Sequence, residues 1–449
     1  CPVCEEGGEC HLQDMTLMSG HNYRRYDKKK ITHRNQYLGP FINHEMNRCI
    51  TCYRCVRFYD DYAGGTDLAA QASHHHTYFG RYEEGVLESE FSGNLVEVCP
   101  TGVFTDKAFS EHYSRKWDLQ TAPSICSGCG TGCNITPGER YGTLRRVVNR
   151  YNAEVNGYFI CDRGRFGFDY VNSAERIRPP EDIDIIQELE KFRDGDVVGI
   201  GSPRASIESN FALREFVGES NFFSGLSDID NEAIQLTLSL GQDASFRCPS
   251  VKEIETADAV IIVGEDVTNT SPRLALAIRQ SVRNQATELA KQARIPVWQD
   301  AAVRELAQHE RSPLILLTPY ATRLDDVASD ILVGPPTELV KAAAAIASAI
   351  SENAPKIQGE RDRTTQIADA LINAKRPLVV AGASAGKIEY IKIIAQALVP
   401  PQLASLTPLC QVWGLKWLGW PWELALPGGL LLRHRRRVAV RTHASENLS

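Results

Sequence analysis

Three cysteines fall within seven residues, at Cys49, Cys52 and Cys55, and this run constrains the fold more than any other feature of the chain. A fourth cysteine, Cys99, follows at a distance and is succeeded by Pro100. A C-x2-C-x2-C run with a remote Cys-Pro is typical of cubane iron-sulfur clusters, in which each of four irons needs one thiolate. The run therefore predicts a segment that folds around a metal cluster, and electron transfer is the leading functional hypothesis.

Two further cysteine groups lie on either side of this run. The cysteines of the first group have C-x2-C-x5-C spacing and supply three thiolates, which is one fewer than a cubane or a tetrahedral site needs. His11 would be strained as the fourth ligand because it adjoins the last of the three, so a residue lost upstream is favoured. Three cysteines of the third group have C-x2-C-x3-C spacing, and a fourth cysteine follows at a distance. The first group is Cys1, Cys4 and Cys10, and the third is Cys126, Cys129, Cys133 and Cys161.

Structural zinc is the alternative to iron-sulfur clusters at these groups. Zinc usually draws two C-x2-C knuckles together and has no redox chemistry, so it would make the chain a scaffold. The thirteen cysteines are mostly grouped, which favours metal ligation over disulfides and predicts a reducing compartment. Cys248 and Cys410 have no cysteine neighbours and are expected to be ordinary half-buried residues.

Length and charge exclude several classes of protein. A chain of 449 residues is long enough for about three domains. Its 49 basic and 56 acidic residues give no basic face for nucleic acid. It has no apolar run of about 18 residues, so it is expected to be soluble. The chain begins with Cys1 in place of Met, and we expect a fragment that has lost an upstream segment.

Changes in sequence pattern predict the domain organisation. We expect an α+β iron-sulfur region over residues 1–112 and a small β-rich 4Fe-4S domain over 120–180. An incomplete α/β parallel-sheet domain, similar to that of molybdopterin oxidoreductases, is predicted over 181–398. Residues 399–449 are rich in Trp and Arg. They predict an aberrant tail that resembles the product of a shifted reading frame, and the alternative is a tail that binds a membrane surface. The predicted strands are 197–200, 259–263, 314–317 and 377–381, and the predicted helices are 207–217, 273–283 and 336–350.

In their order, the three cysteine groups resemble the large iron-sulfur subunit of bacterial NADH:quinone oxidoreductase, the respiratory complex I. The likeness runs from Cys1 to about residue 398. It implies two complete 4Fe-4S ligand sets, in the second and third groups. In that family a histidine four residues before the first cysteine completes the first cluster, and here it would precede residue 1. The first set thus lacks its histidine, and the family's upstream 2Fe-2S domain is absent from this chain.

The resemblance implies an electron-relay subunit that has no catalytic acid or base of its own. Electrons would come from NADH through a flavin on a partner subunit, pass through the first two 4Fe-4S clusters and leave toward quinone, coupled to proton pumping by the whole complex. The third cluster would lie to the side of this path. The implied partners are other peripheral-arm subunits of complex I, including the one that binds flavin and NADH. The chain would then lie at the cytoplasmic side of the bacterial inner membrane and meet the membrane only through the complex.

Residues 126–180 also resemble the iron-sulfur domain of molybdopterin oxidoreductases such as formate dehydrogenase and nitrate reductase, and a subunit of that class is the alternative function. In those enzymes a lysine commonly lies two residues beyond the last cluster cysteine, and Arg163 stands at that position. Gly264 is a candidate for the pyrophosphate turn, but the carboxylates of Glu265 and Asp266 would repel phosphate. No molybdopterin is therefore expected.

Overall fold

The structure is a computed structural model that describes most of the chain. Cys1 and most of the predicted tail lie outside the described residues. No helix in the part that the structure describes is long and apolar enough to cross a membrane. The described residues are 3–20, 22–27, 29–176, 184–192, 197–203, 205–242, 248–351, 361–382, 389–397 and 409–413.

The N-terminal region is built from short helical turns and two antiparallel ribbons. Ile42–His44 pairs with Phe104–Asp106, and Ala69–Gln71 pairs with Tyr78–Gly80. The first ribbon joins the segment before Cys49 to the segment after Cys99. The α-helices are His11–Met18, Arg54–Val56, Leu95–Val98 and Lys107–Ser110; Arg57–Tyr62 is a π-helix, and Met46–Arg48, His74–His76, Ser92–Asn94 and Lys116–Asp118 are 3-10 turns.

A small antiparallel sheet follows. Its longest strands, Asn134–Arg140 and Thr143–Asn149, form a hairpin. Both turn residues, Tyr141 and Gly142, have the positive φ angles that tight hairpins favour. Gln120–Thr121 and Ser124–Ile125 also pair with the first of these strands, and the helices Asp162–Phe166 and Asp169–Asn172 follow the sheet.

A five-stranded parallel sheet organises the C-terminal part. Its strand order is Asp330–Val333, Leu314–Thr318, Ala259–Val263, Pro377–Gly382 and Leu409–Trp413. The second, third and fourth of these strands are buried at every residue, as expected for parallel strands covered on both faces. The helices of this part are Ile185–Glu190, Ile207–Val217, Asp228–Gln242, Val251–Ile254, Val267–Thr270, Pro272–Ser281, Asn284–Gln292, Asp300–Ala307, Pro336–Ile350, Arg361–Ile372 and Glu389–Ala397, with a 3-10 turn at Glu219–Asn221.

The mixed α/β content and the parallel sheet predicted from the sequence are confirmed, and the domain boundaries stay predictions. Three of the four predicted strands belong to the five-stranded sheet. Of the fourth, only Gly199–Ile200 is a strand; it pairs with Phe222–Phe223 away from that sheet, and Ile200 is 73% exposed. The strand Leu409–Trp413 lies beyond the predicted boundary at residue 398, so the sheet extends past it.

One helix packs against two cores. Leu274 and Ile278 of Pro272–Ser281 face the parallel sheet. Leu276, on the opposite side of the same helix, is 3% exposed and enters the core of the N-terminal region with Phe58 and Cys161. This helix therefore joins the α/β part to the iron-sulfur region.

Candidate metal centres

The thiols of the second cysteine group surround one cavity. Cys49, Cys52, Cys55 and Cys99 line it, and the aromatic side chains of Tyr53, Phe79 and Phe104 complete much of the remaining wall. Cys55 is buried, Cys49 and Cys99 are half-buried, and Cys52 is exposed. The structure thus brings together all four cysteines of this predicted set.

Local backbone geometry turns this cysteine run toward the cavity. Thr51 and Tyr53 both have positive φ angles, which few residues other than glycine adopt. The Thr51 backbone N–H donates to Cys49 Sγ at 3.2 Å. Such N–H groups directed at sulfur stabilise negative charge on a thiolate, as they do around iron-sulfur clusters.

Burial opposes ionisation of these thiols. Desolvation, with the neighbouring Cys99 thiol as the next cause, raises the pKa of Cys55 to about 12. Desolvation also raises the pKa of Cys49. A thiolate in this place needs a positive partner, and a metal provides one because metal binding releases the thiol proton.

The third group is also brought together. The Cys126 N–H donates to Cys133 O at 2.8 Å and closes the loop. The Gly128 N–H donates to Cys126 Sγ at 3.3 Å. A Cβ added to Gly164 would lie 3.1 Å from Cys126 Sγ and 3.9 Å from Cys161 Sγ, so both sulfurs border the same glycine.

Thiols of the third group are likewise desolvated. Burial raises the pKa of Cys161 to about 12, with the Cys129 thiol as the next cause. Burial and the Cys161 thiol raise the pKa of Cys133. Since neighbouring thiols add to the rise in the pKa of Cys133 and Cys161, the set would hold several thiolates only with a cation among them.

The first group is only partly assembled. Cys4 Sγ packs on Gly102, and Cys10 Sγ donates to Pro100 O at 3.7 Å. Both contacts are with the segment directly after Cys99. Cys10 and the exposed His11 line a cavity with Cys99, whereas Cys4 is not part of its lining and Cys1 lies outside the described residues.

The donor chemistry of the two complete sets fits a cubane cluster. Soft thiolates on loops, apolar surroundings and N–H groups directed at sulfur are the features that such clusters use. Within the described ranges, no three side chains of His, Cys, Asp or Glu are placed to hold a single metal ion. A cubane spreads its four thiolates over the corners of a cube and so needs a wider arrangement than one ion.

Residues that bear on the molybdopterin alternative are engaged within the protein. Arg163 Nη2 donates to Asn269 O at 2.8 Å, across to the α/β part. Glu265 and Asp266 are buried at the carboxyl end of the strand Ala259–Val263. Carboxylates therefore stand beside Gly264, where an anionic cofactor would need N–H donors.

Sequence reasoning missed one buried charge. Arg165 is among the largest fully buried side chains and forms an ion pair with Glu97 at 2.8 Å. Its position four residues after Cys161, on the helix that begins there, was the available signal. Cys248, in contrast, is exposed and lies outside all three groups, and the side chain of Cys410 lies outside the described part.

Three family models match the chain. The iron-sulfur binding region of NADH-ubiquinone oxidoreductase-G matches residues 1–25. The ferredoxin-like domain of NADH-quinone oxidoreductase subunit 3 matches residues 39–105. The molybdopterin oxidoreductase Fe4S4 domain matches residues 119–173. Each cysteine group therefore falls within or overlaps an iron-sulfur domain.

Similar proteins bear the name of the G subunit of NADH-quinone oxidoreductase. The one from Pseudomonas fluorescens is 54% identical over 414 residues, which cover 89% of this chain and 46% of the relative. The one from Escherichia coli K12 is 52% identical over 412 residues, which cover 88% of this chain and 45% of the relative. The chain thus spans about half the length of the curated relatives it matches. Along nearly nine tenths of its length the chain is similar to the G subunit of NADH-quinone oxidoreductase, which confirms the resemblance to the large iron-sulfur subunit of that family.

Proposed function

We propose that this chain is an electron-transfer, iron-sulfur part of an NADH-quinone oxidoreductase. The observation that carries the proposal is the convergence of Cys49, Cys52, Cys55 and Cys99 on one cavity, although Cys99 is far from the others in sequence. The similarity to the G subunit of that enzyme supports the same function. A relay of this kind needs rigid ligand sets in a dry surrounding, and no acid or base of its own.

Three ligand sets follow from this proposal. Cys49, Cys52, Cys55 and Cys99 hold one 4Fe-4S cluster, and Cys126, Cys129, Cys133 and Cys161 hold another. Cys1, Cys4 and Cys10 supply three ligands of a further cluster. A bound cubane supplies a one-electron carrier whose potential depends on its surroundings. The Thr51 N–H stabilises ligand charge on the second set, and the Gly128 N–H does so on the third.

Packing between the two complete sets keeps the space between them apolar. Cys55 and Cys161 belong to the same apolar core. Phe58, one turn after Cys55, packs on Phe159, two residues before Cys161, with ring centroids 4.6 Å apart. These rings exclude water from the space between the sets and keep their separation fixed.

The partners follow from the similarity to these relatives. Electrons from NADH enter through a flavin on a partner subunit and leave toward quinone, and the whole complex couples this transfer to proton pumping. The chain then acts as one peripheral subunit among others, on the cytoplasmic side of the bacterial inner membrane. A molybdopterin-dependent subunit is not favoured, since the similar proteins are named as parts of NADH-quinone oxidoreductase and Glu265 and Asp266 oppose an anionic cofactor.

Iron analysis and low-temperature EPR on the full chain, reconstituted anaerobically with ferrous iron and sulfide, test this function. We expect about eight irons from the two complete sets, because each cubane holds four. Cys52→Ala and Cys129→Ala should each remove about four irons and a different EPR signal. Cys248→Ala is the matched control, because this cysteine is exposed and belongs to no group.

Two outcomes would contradict the proposal. One is bound zinc without an iron-sulfur signal in the reconstituted chain. The other is an equal loss of iron in the Cys248→Ala control and in the two ligand variants.

A further inference from the structure

A polar joint connects the two complete cysteine sets; its members are Asn94, Glu97, Asp162 and Arg165. Arg165 is 1% exposed. Its Nη1 donates to Glu97 Oε1 at 2.8 Å, and its Nη2 donates to Asn94 Oδ1 at 3.1 Å. Glu97 stands two residues before Cys99, so the ion pair spans from one set to the other.

Asn94 holds the backbone next to Cys161. Its Nδ2 donates to Ile160 O at 2.7 Å, and its Oδ1 accepts from the Ile160 N–H at 3.3 Å. Asn94 itself is fully buried. The residue before Cys161 is therefore fixed by the loop that leads to the other set.

Asp162 holds the backbone on the other side of Cys161. Its carboxylate accepts from Ser92 Oγ at 2.6 Å and from the Gly93 N–H at 2.7 Å. A Cβ on Gly93 would lie 2.6 to 2.8 Å from atoms of Phe166 and the joint, so the packing here is close. Both neighbours of Cys161 are thus bonded to residues 92–94.

The ion pair places opposite charges on opposite sides of the joint. Arg165 belongs to the helix that begins after Cys161, and Glu97 belongs to the helix that ends before Cys99. Charges interact more strongly in a buried, low-dielectric surrounding than in water. A positive charge favours a reduced cluster, which carries one more negative charge, and a negative charge favours the oxidised one.

We propose that Glu97 and Arg165 form a positioning pair that fixes the two cysteine sets relative to each other and sets the reduction potentials of the clusters they hold. This inference rests on the function proposed above. Neither residue is a metal ligand. The pair acts through its opposite charges and through the helices that carry it.

Redox titration of the reconstituted full chain, followed by EPR, tests the pair. Glu97→Gln leaves the Arg165 charge uncompensated and should raise the potentials; Arg165→Gln should lower them. Each shift in potential should correspond to about a tenfold change in the one-electron equilibrium constant, which equals about 59 mV. The double variant removes both charges and should move the two potentials in opposite directions, each by less than in the single variants, because the two charges lie on opposite sides of the joint. Asp330→Asn is the control, because this carboxylate pairs with Arg363 at the edge of the parallel sheet.

A merely structural role predicts a different pattern. It would lower the stability of every variant. The reduction potentials would either stay unchanged or shift in the same direction in both single variants, and either result overturns the proposal. If Arg165→Gln does not fold, the rise in potential expected for Glu97→Gln provides the test, and Arg165→Lys, which keeps the charge, is the variant that should keep the potentials. Failure of the proposed function is visible separately, as absence of cluster signals in the wild-type chain, and would overturn this inference too.

Discussion

Acid should destabilise the iron-sulfur region through His44. Its side chain is buried, stacks on Phe104 at 5.4 Å and meets the Tyr78 ring edge-on at 5.7 Å. The Gln36 N–H donates to His44 Nδ1 at 3.1 Å, which requires an unprotonated nitrogen. Burial lowers the pKa of His44 to about 4, from its ordinary value of 6.5.

The sign and size of the effect follow from proton linkage. As the pH falls, the unfolded chain takes up a proton on His44 near pH 6.5, whereas the folded protein does not until about pH 4. The unfolded state therefore binds more protons in this window, and the free energy of unfolding falls with the pH. At about 1.36 kcal/mol per pKa unit, the loss from this one residue is about 2 kcal/mol between about pH 7.5 and pH 5, and about 3 kcal/mol by pH 4.

Urea unfolding at a series of pH values measures this contribution. His44→Leu is less stable than wild type near neutral pH because the Gln36 N–H loses its acceptor, but the wild-type minus variant difference should shrink by about 2 kcal/mol toward pH 5. Replacing the exposed His112 by Gln is the matched control. A difference that stays constant across this range would refute the assignment of His44 as a buried, neutral side chain.

Three further substitutions test the packing around the sites. Leu276→Ala should lower the free energy of unfolding, measured in urea, by about 2 to 5 kcal/mol. Leu306→Ala is the control, because this side chain is 41% exposed and its loss should lower the same free energy far less. Equal losses would contradict the shared core. Gly164→Ala places a Cβ 3.1 Å from Cys126 Sγ and should weaken the EPR signal of the third set while the second set keeps its own. Ser250→Ala removes a capping box and should cost about 1 kcal/mol, measured by thermal unfolding; an unchanged midpoint would argue against the cap.

Local sequence patterns were sufficient for much of the α/β part. The apolar runs at 259–263 and 314–317 predicted strands because parallel strands are buried on both faces. The helix Ile207–Val217 follows its capping residue, Ser206, and ends before Gly218, which has a positive φ angle. The strand Asp330–Val333 was missed because it has only four residues, and an apolar run this short does not distinguish a strand from other structure.

The candidate sites depend on contacts that no local pattern contains. The spacing of Cys49, Cys52 and Cys55 predicted three ligands from one loop, but the arrival of Cys99 depends on the ribbon between Ile42–His44 and Phe104–Asp106. Its assignment to this set came from the remote Cys-Pro that accompanies such runs, and the family resemblance implied the same set. Arg165 was missed because arginine is almost never fully buried unless it is paired, and its partner Glu97 is remote in sequence.

The packing of Leu276 in the iron-sulfur core has a consequence for biosynthesis. That core also contains Leu38 and Cys55, so its contacts span most of the first 276 residues. In a growing chain the side of this core that Leu276 covers stays open until Leu276 has left the ribosome, since contacts this distant in sequence form only after the intervening segment is released. Synthesis therefore leaves one side of the core around Cys55 uncovered until late, and the helix Pro272–Ser281 covers it last.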